Sequence, residues 1–314
     1  MPKDLFELLA ATRPPPLFFP GLLLFHAFPL HFPITLHFDA GFGRFASDSA
    51  LNVNGNIAWF LMEIVSPVTM LLTLHLTTHR PLSIESKILA AMYTIHYLHR
   101  AVISPLFLSP SRSPQHITVT LASIAFNLFN GSLIACGLAY FPTYISIHEP
   151  LFWLGVLGWT AGFLGNVYHD EVLNDLRRSP AQRLVSSLTK EEEEGDKRAG
   201  NGRYLIPRAG LFEYISFPNY LCEWFEWTCF ALIASPIPFV PVPTLATLRL
   251  SPRVGLWIAK LGFWPPALIA PTWLFVINEI AAMVPRAIRA QGWYRDTFGE
   301  RFPKDRKIVI PGLF

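Results

Sequence analysis

Apolar runs of membrane length constrain this chain more than any single motif. Crossing the hydrocarbon core takes about 20 mostly apolar residues, and seven stretches qualify, roughly 17–36, 56–79, 86–107, 117–140, 150–169, 211–235 and 255–284. Each is interrupted by Pro, Gly or a charge, so the boundaries are soft. In a chain of 314 residues, 52% hydrophobic and 15% charged residues fit no ordinary soluble domain. Backbone surrounded by lipid must satisfy its own hydrogen bonds, which makes helices of runs this long. The expected class is all-α: one polytopic membrane domain over residues 1–314 with seven transmembrane helices.

Lys and Arg set the expected orientation. With a lumenal N-terminus, the cytosolic side collects Arg44, Arg112, the group from Arg177 and Arg178 through Arg183, Lys190, Lys197, Arg198, Arg203 and Arg208, and every basic residue from Arg286 onward. The lumenal side keeps Lys3, Arg13, Arg80, Lys87, Arg249 and Arg253, with Lys260 near an edge. An odd number of spans then leaves the C-terminus cytosolic. The opening residues lack the pattern of a cleaved signal peptide, so the first span is expected to serve as the insertion signal. A net charge of +3 without basic and aromatic residues interleaved in a soluble segment gives no nucleic-acid signature. Cys136, Cys222 and Cys229 all fall in expected spans without CxxC spacing, so neither a disulfide nor a metal site is expected.

Polar chemistry enters the apolar background most densely between Tyr204 and Trp227. Pro207 and Gly210 break the chain, Phe217-Pro218 forms a turn, and then Asn219, Glu223 and Glu226 recur on one helix face. Carboxylates among Trp224, Phe225, Trp227 and Phe230 are costly unless partnered, and membrane chains that keep them commonly use them. A cofactor is expected there; helix-packing glue is the plainer reading. In the second span Glu63 lies one turn before Pro67, and in the third Tyr97 and Arg100 stand beside His96 and His99. A tyrosine donates a hydrogen bond to a carbonyl well when a carboxylate orients it, whereas His99 also suits headgroups or a neighbouring helix.

Asn127 and Asn130 in the fourth span are expected to bond other helices, and Gly155, Gly158, Gly162 and Gly165 in the fifth form a small-residue packing stripe. Beyond that stripe Asn166, Asp170 and Arg177 fall within about 40° of one another at 3.6 residues per turn. An amide, a carboxylate and a guanidinium on one face suit a ligand with an amide, hydroxyls and phosphate; a solvated helix end is the alternative. Residues 179–203, with four consecutive glutamates, read as a mobile polar loop. The Pro-rich 236–253 reads as a connection with a short interfacial segment. After Pro285 a basic, aromatic cytosolic tail over 286–314 is expected, in which Arg286, Arg289 and Tyr294 suit phosphates and a ring, or anionic lipid.

Taken jointly, AWFLMEIVSP, IHYLHR, GNVYHDEVLNDLR, YLIPRAGLFEYIS, PNYLCEWFEW, VPRAIRAQGWY and PKDRKIVIPGLF resemble the steroid 5α-reductases, including the plant brassinosteroid-pathway members, over residues 57 to 314. The resemblance implies a seven-helix reductase of the endoplasmic reticulum membrane with NADPH in a cytosol-facing cavity. Its substrate would be a hydrophobic 3-oxo-Δ4 steroid, reduced by hydride at position 5 and protonated at the α-carbon. By motif position Glu63 and Tyr97 polarise the 3-oxo group, while Arg100, Asn166, Asp170, Arg177, Tyr204, Asn219, Glu223, Arg286 and Tyr294 line the NADPH site. No protein partner is implied beyond the lipid bilayer. Met62, Ala209, Ala290 and Gln291 depart from the pattern, at positions where a glutamine, a glycine and two histidines are frequent, and bear on substrate choice. Other readings remain: a related reductase of enoyl-thioesters or polyprenols, an S-adenosylmethionine-dependent membrane methyltransferase, or a sterol-binding protein.

Overall fold

The computed structural model describes residues 14–38, 40–77, 81–141, 145–185, 188–200, 204–242, 248–251, 253–254, 260 and 267–314. Lys3, Arg13, Arg80, Arg203 and most of the first half of the seventh expected span lie outside them. The described chain is mainly helical: α1 (Phe18–Phe25), α2 (Phe32–Thr35), α3 (Gly55–Thr77), α4 (Ile84–Tyr97) running into a π-helix (Leu98–Leu108), α5 (Ile117–Tyr140), α6 (Pro150–Asp175), α7 (Lys190–Ala199), α8 (Pro218–Ala234) and α9 (Pro271–Phe298).

Among the described residues four segments are long and apolar enough to cross a membrane, namely Phe18–Thr35, α3, α5 and α6. This is a membrane protein, but seven such helices do not emerge by length and composition. The third, sixth and seventh expected spans correspond to helices with ionisable residues inside them: α4 with its π extension holds His96 and Arg100, the 17-residue α8 holds Glu223 and Glu226, and α9 holds Glu279 and Arg286. Charge inside them lowers their apolarity below that of a plain lipid-spanning helix.

Small residues decide how the helices pack, because between helices in lipid it is close contact rather than water release that binds. A Cβ on Gly162 of α6 would stand 2.7 Å from the Glu226 amide nitrogen and 2.8 Å from the Cys222 carbonyl of α8. On the same stripe Gly155 meets Ile233, Gly158 meets Cys229 and Gly165 meets Cys222, so the expected small-residue face is the α6–α8 seam. Gly131 of α5 does the same against α3, where a Cβ would lie 2.4 Å from the Ser66 carbonyl. Fully buried Trp227, Tyr93, Phe152, Phe230 and Phe275 fill the space between these helices.

Long-range contacts gather one end of the bundle. Antiparallel β1 (Asn52–Val53) and β2 (Gln115–His116) pair Asn52 with His116, tying the chain before α3 to the chain before α5. At that end the Ser216 amide donates to the Lys307 and Ile308 carbonyls, and the Arg286 guanidinium donates to the Phe42 carbonyl at 3.3 Å. Elsewhere β3 (Phe239–Pro241) pairs antiparallel with β4 (Ala267–Ile269), giving the Pro-rich connection a short strand.

Two expectations are corrected. The polar run 179–203 is no loop throughout: 190–199 form α7, opened by a capping box in which Thr189 Oγ1 accepts from the Glu192 amide at 3.1 Å and Glu192 Oε2 accepts from the Thr189 amide at 2.8 Å. Fully buried Asp196 docks it, accepting from the Ile206 amide (3.0 Å), Arg208 Nη1 (2.7 Å) and Arg301 Nε (3.2 Å). Charge that looks merely solvated in sequence is spent on partners, one of them 105 residues away. Nor does the last helix end at Pro285; α9 runs through it to Phe298. Pro285 removes one hydrogen bond, but Met283, Ala287, Ala290, Tyr294 and Phe298 are buried on a continuous helical face that outweighs that loss.

Candidate functional site

Glu63, Arg100 and Glu223 meet where α3, the π-helix and α8 converge. Arg100 Nε lies 3.1 Å from Glu63 Oε1, and its Nη1 lies 3.1 Å from Glu223 Oε1. A guanidinium presents donors in a rigid fork, so one side chain holds carboxylates from two helices. Its place on a π-helix fits the tendency of that wider turn to occur at functional sites. His96, one turn earlier, extends the chain: Nδ1 is 2.7 Å from Glu226 Oε1 and Nε2 is 3.8 Å from Glu223 Oε1. Both carboxylates are buried, Glu226 completely; His96 and Arg100 partner them, although Glu226 Oε2 has no partner.

A second branch leaves Glu223 through α6. Asn166 Nδ2 donates to Glu223 Oε2 at 3.2 Å and to the Asn219 carbonyl at 3.0 Å, while Asn219 Nδ2 donates to Asp170 Oδ1 at 3.0 Å. Asn166 and Asp170 stand one turn apart on α6, as do Asn219 and Glu223 on α8, so the two polar faces interlock. Asn219 Oδ1 is left buried without a protein partner.

Beyond Asp170 the network opens toward the loop end. Arg177 keeps an exposed surface, yet protein atoms surround it closely enough that desolvation lowers its pKa, with Tyr294, Asp170 and Tyr204 opposing that shift and Arg44 adding to it. Arg44 lies nearby, with its guanidinium carbon 4.3 Å from the Tyr294 ring centre and 4.7 Å from that of Trp293. Its Nη2 donates to Tyr294 Oη at 3.2 Å, and its buried Nη1 has no partner. Tyr204 packs edge-on against Trp293 at 4.8 Å, and Arg286 covers Phe42 at 3.6 Å. Arg112, between α4's extension and α5, is pushed down to about 10, mainly by burial, with Asp170 opposing the shift.

Tyr97 closes α4 at the other end of the network. Its oxygen accepts from Asn130 Nδ2 at 3.4 Å, and its ring lies 4.7 Å from that of Tyr93. Glu63 was expected to support Tyr97; instead its carboxylate bonds Arg100, the stronger, charged donor. Glu63, Arg100, Glu223, Asn166, Asn219 and Asp170 thus form one hydrogen-bonded network, while Tyr97 bonds Asn130 and Tyr294 bonds Arg44 outside it, with Arg177 and Tyr204 near the latter pair and Arg286 over Phe42. Sequence reasoning placed Arg44 and Arg112 only in loops and left His96 without a role. Nothing local marks Arg44, whose partners are 250 residues away, whereas the one-turn spacing of His96 and Arg100 was visible.

Comparison with known proteins identifies the family. The family model "3-oxo-5-alpha-steroid 4-dehydrogenase" matches residues 113–253 and 261–314. An uncharacterized protein of Schizosaccharomyces pombe is 33% identical, covering 90% of this chain and 94% of its own. Steroid 5-alpha-reductase DET2 of Solanum lycopersicum is 28% identical over 93% of this chain and 94% of its own, and 3-oxo-5-alpha-steroid 4-dehydrogenase 1 of Macaca fascicularis 30% over 88% and 86%. The chain belongs to the 3-oxo-5-alpha-steroid 4-dehydrogenase family and is an oxidoreductase acting on CH–CH groups.

Proposed function

We propose that this protein reduces the C4–C5 double bond of a 3-oxo-Δ4 steroid or sterol-like enone with NADPH. The observation that carries this reading is the Arg100 bridge between Glu63 and Glu223, which joins a residue assigned to the substrate to residues assigned to NADPH. Two unsatisfied groups support the cofactor: the acceptor Asn219 Oδ1 and the cationic donor Arg44 Nη1. A carboxamide and phosphates supply the complementary groups to such atoms. Arg100, Asn166, Asp170, Arg177, Tyr204, Asn219, Glu223, Arg286 and Tyr294 would hold NADPH. When bound, it supplies the hydride delivered to C5.

Glu63 and Tyr97 act on the substrate. Reduction of an enone builds negative charge on its oxygen, and the Tyr97 hydroxyl stabilises that charge in a site from which the surrounding aromatic side chains exclude water. Glu63 holds Arg100 in place beside it and balances its charge. In this reading all seven expected segments cross the membrane of the endoplasmic reticulum. The loop end, with Arg44, α7 and the C-terminal residues, faces the cytosol and its NADPH, and the N-terminus is lumenal; lipid and the enone are the only partners required.

The test is purified protein with NADPH and, in parallel, S-adenosylmethionine, offered 3-oxo-Δ4 steroids, simple enones and enoyl-thioesters. NADPH oxidation with a 3-oxo-Δ4 steroid is the expected outcome. Turnover of the thioesters alone would move the protein to another substrate class, and binding of S-adenosylmethionine without NADPH would end the reductase reading.

A further inference from the structure

Asn130 lies on α5, fully buried, next to the glycine that lets α5 approach α3. Its Nδ2 lies 3.0 Å from Tyr93 Oη and 3.4 Å from Tyr97 Oη, so one amide group serves two phenols. Ser66 Oγ completes the group through a short contact with Tyr93 Oη. Close approach at Gly131 is what puts Asn130 within reach: a Cβ there would collide with the Ser66 carbonyl, pushing α5 away from α3.

Simple helix-packing glue accounts for half of this side chain. Asn130 Oδ1 is buried and has no partner, and leaving a buried polar atom unpaired is destabilising. An asparagine kept only to join helices would be expected to use both ends. The opposite amide orientation would aim the single oxygen at the phenols and strand two N–H donors, which proteins tolerate less than a stranded carbonyl. The side chain is therefore retained for its N–H groups.

Their chemical effect on Tyr97 is specific. A phenol oxygen that accepts an N–H keeps its own hydrogen for donation elsewhere, and the accepted bond favours charge growing on that oxygen. We propose that Asn130 is a positioning residue for the reduction, holding the Tyr97 phenol as an acceptor so that its hydroxyl hydrogen is given to the substrate oxygen. This rests on the reading that Tyr97 polarises the substrate.

A double-mutant cycle tests it. Asn130→Leu, close in volume and apolar, removes both donors without adding a buried charge, and Asn130→Ala serves if the leucine variant does not accumulate. NADPH affinity reports whether the fold is intact. With 3-oxo-Δ4 steroid as substrate, Asn130→Leu should lower kcat about tenfold or more, with KM and NADPH affinity close to parental, about the effect of losing one hydrogen bond to a developing charge. In a Tyr97→Phe background the same change should cost no further kcat. An equal loss in both backgrounds, or an unchanged kcat beside a Tyr97→Phe variant that has lost its activity, would overturn the role of Asn130. Parental turnover by Tyr97→Phe would instead overturn the assignment of Tyr97 itself.

Discussion

Asn166 of α6 donates to Glu223 of α8 across 3.2 Å, and that bond exists because Gly162, one turn earlier, lets the two helices touch backbone to side of backbone. The small-residue stripe and the polar network are one device. A methyl group at 162 would stand 2.7 Å from the Glu226 amide nitrogen, a distance at which the helix must move.

Gly162→Ala should therefore act on chemistry as well as packing. A shift of about 1 Å between α6 and α8 would stretch the Asn166–Glu223 and Asn219–Asp170 bonds together, and misplacement on that scale costs about 10²-fold in rate. NADPH affinity should fall along with kcat. The same substitution at Gly292, which has open space around its missing Cβ, is the control and should leave both near parental.

Asp196→Ala should loosen the polar end of the molecule. The carboxylate is fully buried and satisfies the Ile206 amide, Arg208 and Arg301 at once. Its removal leaves the amide and parts of two guanidiniums unpaired, a loss of roughly 2–3 kcal/mol. Thermal unfolding should shift down, and proteolysis between 190 and 208 should speed up. A variant that melts with the parent and resists protease would show that α7 is held by other contacts.

Helix α7 should also be sensitive to acid. The Glu192 carboxyl is held below its ordinary value of 4.5 chiefly by the Thr189 backbone amide, and Glu193 below the same value by Lys197 first and then Arg183. Carboxyls whose folded pKa is depressed contribute stability that is fully present above the unfolded value and lost as pH falls through the lower folded one. Protease cleavage within 190–200 should thus accelerate only as pH drops below 4.5; a change confined to neutral pH would point to other groups.

Ala209 occupies backbone that glycine favours, with φ at 95° and ψ at 144°. A side chain there is strained by about 1–3 kcal/mol, and glycine returns roughly 0.5–1 kcal/mol in backbone entropy. Ala209→Gly should raise thermal stability by about 1 kcal/mol. A destabilised variant would mean that the Ala209 methyl makes packing worth more than the strain.

How far the sequence revealed this molecule depended on whether each feature is local. The stripe from Gly155 to Gly165 and the shared face of Asn166 and Asp170 follow from helical spacing, and both occur as spacing implies. Glu223 and Glu226 were legible as carboxylates too costly to bury without use. Thr189 and Glu192 formed a capping box that was also readable, yet the four glutamates beside them suggested a solvated loop. Asp196, Arg44 and the open half of Asn130 were not legible, because their meaning lies in partners brought from elsewhere in the chain. Pro285 argued for a helix end, and only the tertiary burial of Ala287, Ala290 and Tyr294 overrules it.

Arg100 decides how the two ends of the site depend on each other. Because its guanidinium joins Glu63 to Glu223, Glu63 directly touches one of the residues proposed to hold NADPH. Glu63→Gln keeps shape but removes the charge that balances half of Arg100, so turnover should fall by about 10²–10³, the size of losing one stabilising group at a developing oxyanion. Unlike Tyr97→Phe, it should also weaken NADPH binding by a few fold, since Arg100 is then drawn wholly toward Glu223. Arg100→Lys preserves charge but not the fork, and a single ammonium cannot hold both carboxylates in the same geometry. It should lose turnover and NADPH affinity together. Measuring kcat and NADPH Kd for the three variants separates the roles: an Arg100→Lys enzyme that binds NADPH like the parent and loses only kcat would confine Arg100 to the substrate end, and one that keeps both would remove the bridge from the mechanism.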